Sequence, residues 1–225
     1  MAKMSLESFV FKAPRNDIDV EQTINKSRFI GSIRTVLSAE EATKLIKEFS
    51  TIYPKATHYC WAYRIGINNP LEHSSDAGEP SGTAGRPILG ALKRHFLDNT
   101  LLVVTRYYGG VKLGVRGLID AYGDTAEIAA TEAGAVEMEL NNMLELSCGY
   151  DYSKTMTVTL HQLGFPADRI SINYGIDVDF RIEVPCSMRI SITPLLEEMV
   201  ARGFLTLLNW NEEYIVRERW VYQEL

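Results

Sequence analysis

The first half of the chain alternates strand-like with helix-like hydrophobic patterns. Residues 17–25 and 27–37 alternate apolar with polar positions and carry β-branched side chains, which predicts two strands. Ser38 followed by Glu41 forms a capping box, and the apolar positions behind it recur at helical spacing, which predicts a helix. Alternation resumes over residues 56–67 and predicts a third strand, whose successive side chains face opposite sides of a sheet.

Two glycine-rich segments follow, and each leads from a strand into a helix. Residues 74–87 read SSDAGEPSGTAGRP, a composition that excludes a strand and most of a helix. The helix behind them is predicted to carry an apolar stripe that extends to Phe96. TLLVVTRY then predicts a buried strand, GGVKLGVRG a second glycine-rich turn, and GLIDAYGDTAEIAATEAG a long helix that ends at Gly134. No linker is needed at residue 74, so we expect the first segment to form the wall of a site.

After residue 140 the pattern begins again. NMLELSCGY predicts a strand, and a helix capped by Asp151 and ended by Gly164 follows it. DRISINYG and DVDFRIEVP predict two strands, the next helix is expected to be firm only around Pro194, and FLTLLNW predicts the last strand. The order βαββαβ is that of a ferredoxin-like α/β sandwich. The sequence therefore predicts an α+β protein with two domains, residues 1–140 and residues 141–225.

Composition restricts the class of protein. The chain has 225 residues, is 46% hydrophobic and carries a net charge of -6, values typical of a globular protein with a sizeable core. No apolar run is long enough for a membrane span, and no secretory signal is visible at the N-terminus. Cys60, Cys148 and Cys186 are far apart and form no CxxC pair. This spacing favours reduced thiols in a cytoplasmic protein over a disulfide framework or a zinc site.

Charge is distributed unevenly between the two halves. Residues 1–144 carry 16 Lys/Arg and 17 Asp/Glu, whereas residues 145–225 carry 7 Lys/Arg and 12 Asp/Glu. An acidic surface is a poor match for a phosphate backbone. A polyanionic partner is therefore expected to contact the first half of the chain.

The two glycine-rich turns are the candidate site. Helix N-termini expose free N–H groups and a partial positive charge, and glycine lets a ligand approach the backbone closely. Side by side, the two turns would form a cradle for an anion such as phosphate, although the glycine spacing matches neither a Walker loop nor a dinucleotide fingerprint. The alternative is that the glycines only permit tight turns against the core. The candidates for anion or nucleic-acid binding are Ser81, Gly82, Thr83, Arg86, Arg106, Tyr107, Gly109, Gly110, Lys112 and Arg116.

Several titratable residues have both a chemical and a structural interpretation. His58 and Cys60 lie two residues apart on a strand and would suit Cys–His catalysis, but a half-buried strand cysteine is more often an inert core residue. His73 and Asp76 are too few to make a metal site. Asp76 and Glu79 would suit an acid/base pair, but the favoured interpretation is that Asp76 closes a turn and Glu79 caps a helix. No set of nucleophile, base and orienting residue can be named, which weakens an enzymatic interpretation, and no cofactor is predicted.

Aromatic residues beside cations raise a further possibility. Tyr107 and Tyr108 follow Arg106, a combination that stacks bases in proteins that bind single-stranded nucleic acids. Equally, one tyrosine would belong to the core and the other to its rim. A docking strand or a dimer contact is the favoured role of the aromatic residues near the C-terminus, Trp210, Trp220 and Tyr222.

Four blocks of the sequence resemble the signature blocks of the IMPACT/YigZ family. They are TINKSRFIG, ATHYCWAYRIG, SSDAGEPSGTAGRPIL and VVTRYYGGVKLGVRGLIDAY, in the order of the family and over about residues 20–130. The first block adds Lys26 and Arg28 to the candidates. The resemblance implies a first domain like the second domain of ribosomal protein S5, followed by a ferredoxin-like domain. This pair is similar to two consecutive domains near the C-terminus of elongation factor G.

The resemblance also implies a role in translation, and three positions of this chain differ from the family pattern. Eukaryotic relatives regulate translation by binding a partner of a stress-responsive kinase through an additional N-terminal domain, which is not expected here. The usual aspartate pair is Asp76 and Ala77 in this chain, so one carboxylate is missing. An arginine is gained at Arg116 and lost at Asp120, about one helical turn away.

Three classes of function remain open from the sequence. The favoured one is a translation-associated protein whose first domain binds RNA or a ribosomal surface. The second is an enzyme or binder of a phosphorylated or carboxylate small molecule, which uses the same cradle. The third is a regulator that binds a protein partner.

Overall fold

A computed structural model describes residues 9–67 and 69–219, apart from the side chain of Glu212. Two aromatic residues predicted to dock, Trp220 and Tyr222, lie outside the described residues. The chain divides into two compact units. Phe11–Glu137 form one of them, called the N-terminal unit below, and the C-terminal unit comprises the described residues on either side of that range.

The N-terminal unit is built on a mixed succession of strands and helices. Its elements are β1 (Val10–Pro14), β2 (Ile18–Ile24), β3 (Ser27–Thr35), α1 (Ala39–Ile52), β4 (His58–Ile65), β5 (Leu71–Ser75), α2 (Gly85–Arg94), β6 (Thr100–Tyr107) and α3 (Gly114–Ala133). Five of the strands form an antiparallel sheet in the order β2–β3–β6–β4–β5.

β6 lies at the centre of this sheet and is buried on both faces. Leu102 and Val104 pack in a cluster with α2 and α3, whereas Leu101 and Val103 pack in a second cluster with α1. Because successive side chains of a strand face opposite sides, one short strand supplies both clusters. The N-terminal unit therefore has three layers, with α1 on one face of the sheet and α2 and α3 on the other.

The predicted signals at the helix ends of this unit are confirmed for α1 and α3. The Glu41 N–H donates to Ser38 Oγ at 3.1 Å, and the Leu37 N–H donates to the Glu41 carboxylate at 2.8 Å. Such reciprocal bonds satisfy donors that a helix N-terminus leaves free. α3 ends at Gly134, whose φ of +65° suits glycine.

Three boundaries in this unit differ from the predicted ones. β5 includes Ser74 and Ser75, which were predicted as loop, because an edge strand needs no apolar alternation. α2 ends at Arg94, so the predicted stripe does not reach Phe96, which is 70% exposed. α3 begins at Gly114, which places Arg116 on the helix instead of in the turn.

The C-terminal unit follows the predicted succession of elements. They are β7 (Ala135–Cys148), α4 (Tyr150–Gln162), a 3₁₀ turn (Ala167–Arg169), β8 (Ile170–Tyr174), β9 (Val178–Pro185), α5 (Cys186–Ala201) and β10 (Leu207–Glu218). β7 crosses the division between the units. The strands of this unit pair antiparallel in the order β10–β7–β9–β8.

One apolar cluster fills this unit, and two predicted helix signals in it are wrong. Met156 of α4 and Leu196 of α5 pack in the cluster of strand residues. The N-cap of α4 is Gly149, and Asp151 lies in its first turn without capping it. α5 begins well before Pro194, which lies inside the helix where its missing N–H costs one backbone bond. Within the described ranges, no helix combines the length and apolarity needed to cross a bilayer.

Candidate functional site

The first glycine-rich turn folds around the carboxylate of Asp76. One oxygen accepts from the N–H of Gly82 at 2.8 Å, and the other accepts from the N–H groups of Ala84 and Gly85 at 2.9 Å each. Ala84, the N-cap of α2, makes no side-chain cap of its own, so Asp76 supplies the cap from a distance. Burial opposes ionisation, but the three backbone bonds outweigh it and lower the pKa of Asp76.

This arrangement corrects the expected open cradle. The amide of Gly82 is bonded to Asp76, and Thr83 is buried with its hydroxyl donated to the Pro80 carbonyl at 2.6 Å. The Asp76 carboxylate therefore already occupies the position at the N-terminus of α2 that an external anion would take. Ser81 and Arg86 remain exposed beside it.

A buried ion pair joins the first glycine-rich turn to the end of β6. Arg106 Nη1 donates to Glu79 Oε1 at 2.6 Å, and the two side chains are only 6% and 4% exposed. Tyr122 of α3 donates its hydroxyl to the same oxygen at 2.8 Å. Burial, together with the charge of Glu79 and the nearby Cys60 thiol, raises the pKa of Tyr122, so this hydroxyl stays protonated. The first turn, β6 and α3 therefore meet through side chains packed in the interior.

The guanidinium of Arg106 is buried among internal contacts, although its Nε has no hydrogen-bond partner among the described residues. Arg106 Nη2 donates to Ser27 Oγ at 3.3 Å, and its Cζ lies 5.3 Å from the Phe29 ring centroid and 5.4 Å from that of Tyr108. A paired and buried guanidinium cannot reach a phosphate without breaking these contacts. In this structure Arg106 is therefore engaged inside the fold, and the binding of an anion by Arg106 stays a prediction.

His58 and Cys60 do not form a nucleophile and base. His58 Nδ1 lies 3.0 Å from the Ala77 carbonyl oxygen, and its Nε2 lies 3.8 Å from Glu79 Oε1. The Cys60 thiol donates to the Asp76 carbonyl at 2.9 Å and is fully buried. Burial raises the pKa of Cys60 to about 12, so its thiolate is scarce at neutral pH.

The second glycine-rich turn packs on the tight turn between β2 and β3. The Gly109 N–H donates to Ser27 Oγ at 3.2 Å, and a Cβ on Gly109 would lie 1.9 Å from the Lys26 carbonyl oxygen. Only glycine allows this approach of the two backbones. Gly110, with a φ of +84°, is exposed and has open space in front of it.

Three loops meet at the end of the sheet where β6 ends. They are the loop between β2 and β3, the loop between α1 and β4, and the loop between β6 and α3. Tyr107 donates its hydroxyl to the Pro54 carbonyl at 3.2 Å. The Tyr108 N–H donates to Thr57 Oγ1 at 3.0 Å, and the Thr57 N–H donates to the Arg106 carbonyl at 2.7 Å. We call the exposed surface of these loops the loop edge. It consists of Lys26, Lys55, Tyr108 and Lys112.

The loop edge is cationic and carries an exposed ring. Within the described part of the chain, Lys26, Lys55 and Lys112 form no ion pair, and all three are exposed. Tyr108 is 45% exposed, whereas Tyr107 is half-buried under Arg28. This division between the two tyrosines matches the core-and-rim alternative.

The remaining predicted cations lie elsewhere or are paired. Arg28 bonds Glu21 at 2.6 Å, and Arg116 pairs with Asp120 at 3.1 Å across one helical turn. The two residues at which the resemblance implies a departure from the family pattern therefore pair with each other. Arg86 lines a shallow groove of about 400 Å³ between α2 and α3.

Sequence reasoning missed Lys55 and Tyr122. Lys55 adopts a φ of +65° in the loop after α1, and nothing in its neighbours' composition signals its place beside the second turn. Tyr122 is the last residue of the fourth block that resembles the family. Its position on the inner face of α3 follows from the helical period. Among the described residues, no group of three or more His, Cys, Asp or Glu side chains suits a metal ion.

Comparisons with known proteins give consistent matches. The sequence model of the Impact N-terminal domain matches residues 25–130. The IMPACT family member YvyE of Bacillus subtilis is 37% identical over 163 residues, which cover 72% of this chain and 75% of that protein. The IMPACT family member YigZ of Escherichia coli is 30% identical over 197 residues, which cover 87% and 95%. A solved crystal structure of a hypothetical protein aligns with a TM-score of 0.63 and 29% identity over 91% of this chain and 99% of that one.

Proposed function

The chain belongs to the IMPACT family, and we propose that it is a translation-associated regulatory protein that binds RNA, ribosomal RNA included, through the loop edge. The observation that carries the proposal is the exposed ring of Tyr108 among three exposed lysines that have no ion pair within residues 9–67 and 69–219. Unpaired cations gain most from phosphates, since each contact releases counterions, and an exposed ring offers a stacking surface.

The association with translation rests on the family and on the fold. Eukaryotic members of the family regulate translation, as the signature blocks imply. In the C-terminal unit, the elements βαββαβ and the strand order β10–β7–β9–β8 support a ferredoxin-like identity. Together with an S5-like identity for the N-terminal unit, this would repeat a pair of domains found in a ribosomal translocase. Likeness of fold alone does not define activity, so the loop edge carries the functional argument.

The site weighs against the small-molecule alternative. Asp76 already fills the anion position of the first turn, and Glu79 neutralises Arg106. The loop edge offers an external ligand exposed lysines and contributes no residue to the groove beside Arg86, and small molecules bind in concave sites. A surface of this kind suits a long polyanion.

Salt-dependent binding tests the proposal. We expect the protein to bind ribosomal RNA in filter assays and to sediment with ribosomes, with an affinity that falls steeply between roughly 50 and 300 mM salt. Lys26→Ala and Lys112→Ala should each weaken binding and reduce the salt slope by about one. Lys47→Ala removes an exposed lysine of α1 and is the matched control, which should change little.

Two results would overturn the proposal. One is RNA binding that does not change in either loop-edge variant. The other is binding to a single protein of the ribosome that persists after nuclease digestion. This result would support the protein-partner alternative instead.

A further inference from the structure

The ring of Tyr108 is exposed yet held in place. Its backbone N–H is bonded to Thr57, and the Arg106 guanidinium lies 5.4 Å from its ring centroid. Arg106 in turn is fixed by Glu79 and lies 5.3 Å from the Phe29 ring centroid. The Arg106 guanidinium thus lies near the rings of both Phe29 and Tyr108, and this contact favours a fixed orientation of the Tyr108 ring.

Tyr107 has the opposite surroundings. Its hydroxyl is bonded to Pro54, and Arg28 lies 5.4 Å from its ring centroid. Arg28 is itself paired with Glu21. Both polar and aromatic parts of Tyr107 are therefore used within the fold, whereas the exposed part of Tyr108 has no such use in the described residues.

We propose that Tyr108 is a stacking platform for one nucleobase of a single-stranded RNA segment. Lys26, Lys55 and Lys112 then contact the phosphates on either side of that base. A duplex keeps its bases stacked inside, so an exposed ring among lysines selects a single strand. The lysines favour a polyanion over an apolar protein surface as the partner. This inference rests on the proposed function, and it names the ligand of the same surface.

A double-mutant cycle between protein and ligand tests the stacking. The protein and its Tyr108→Ala variant are titrated against fluorescently labelled oligoadenylate and against an abasic oligomer of equal length, so that the number of phosphates stays constant. We expect removal of the bases to weaken binding of the unaltered protein about tenfold. Tyr108→Ala should weaken binding of oligoadenylate to a similar extent, and it should bind both oligomers equally.

The conservative variants separate stacking from folding. Tyr108→Phe keeps the ring and should retain binding. Tyr107→Phe removes only the hydroxyl that is bonded to Pro54, and it should also leave binding unchanged. Thermal unfolding of each variant identifies any loss that comes from a damaged loop.

The outcomes distinguish the inference from the proposed function. If Tyr108→Ala still loses affinity when the bases are removed, Tyr108 does not stack on a base and the inference fails. If Lys112→Ala weakens binding to both oligomers in that case, the proposed phosphate contacts stand. If neither oligomer nor ribosomal RNA binds, the proposed function fails and the inference falls with it.

Discussion

Asp76 occupies the place in which the sequence suggested an external anion. Its two oxygens accept three backbone N–H groups at the start of α2, donors that a phosphate would otherwise satisfy. The neighbouring position is Ala77, which is exposed, has a φ of +44° and gives its carbonyl to His58. One carboxylate is therefore enough to satisfy the three N–H groups of this turn.

Replacement of Asp76 should destabilise the protein. Asp76→Ala leaves the three N–H groups of the turn without their acceptor, and we expect the free energy of unfolding in urea at neutral pH to fall by about 2 kcal/mol. Asp76→Asn keeps one acceptor oxygen and should lose about half of that. Asp124→Asn, an exposed carboxylate of α3, is the matched control and should lose little. Phosphate should restore part of the stability of Asp76→Ala only, because the vacated amides then bind it.

The same contact sets a direction for the pH dependence. Because the pKa of Asp76 is lower in the folded protein than in the unfolded chain, its contribution is complete above the ordinary pKa of aspartate. The contribution is lost as the pH falls through the lowered folded pKa. The stability difference between the protein and Asp76→Asn should therefore shrink in acid, and a constant difference would contradict this account.

Among the secondary-structure elements, the hydrophobic period predicted the buried strands and helices. It failed at the edge strand of the sheet and at the ends of helices. The central strand β6 and the helix α3 follow from runs of apolar residues such as Leu101 to Val104. β5 was missed because an edge strand needs only one covered side, so Glu72 and Ser74 are acceptable there. The start of α5 was missed because proline at 194 suggested a first turn, whereas the packing of Met188 and Ile192 stabilises the helix before it.

The candidate site was predicted in its residues but not in its pairings. Glu79 and Arg106 were both candidates, yet they are 27 residues apart, and no local pattern shows that they neutralise each other. Which cations remain free depends on such long-range pairs. Lys55 remained unnoticed for the same reason, since only the fold brings its loop beside Tyr108.

The C-terminal end of α2 carries a residue that its backbone does not favour. Phe96 has a φ of +55°, and the N–H groups of Phe96 and Leu97 donate to the carbonyls of Lys93 and Leu92. This is a Schellman motif, in which glycine normally takes the left-handed position. We expect Phe96→Gly to raise the free energy of unfolding by about 0.5–1 kcal/mol, because relief of strain exceeds the added chain entropy.

The comparison for Phe96→Gly is a glycine in the middle of a helix. Lys47→Gly places it at an exposed position of α1 and should cost about 1 kcal/mol by the same urea measurement. A destabilised Phe96→Gly would mean that the exposed ring makes contacts worth more than the backbone strain.

At the scale of the whole molecule, the three cysteines are buried and lie in both units. Cys60 belongs to the large cluster of the N-terminal unit, and Cys148 belongs to the cluster of the C-terminal unit. Cys186 is also buried, and no disulfide joins the three cysteines within the described residues. Burial raises the pKa of Cys60 to about 12 and also raises the pKa of Cys148. Each thiol is thus a probe of the opening of its own unit.

We expect the native protein to react slowly with a disulfide reagent at mildly alkaline pH, because the thiolate is the reacting species and burial makes the Cys60 thiolate scarce. All three thiols should react at once in denaturant, with the labelled positions assigned by mass spectrometry. Ser81→Cys adds an exposed thiol in the first glycine-rich turn and should label promptly in the native protein. Prompt native labelling of Cys60 would show that its strand is open to solvent, which the packing of β4 against α2 excludes.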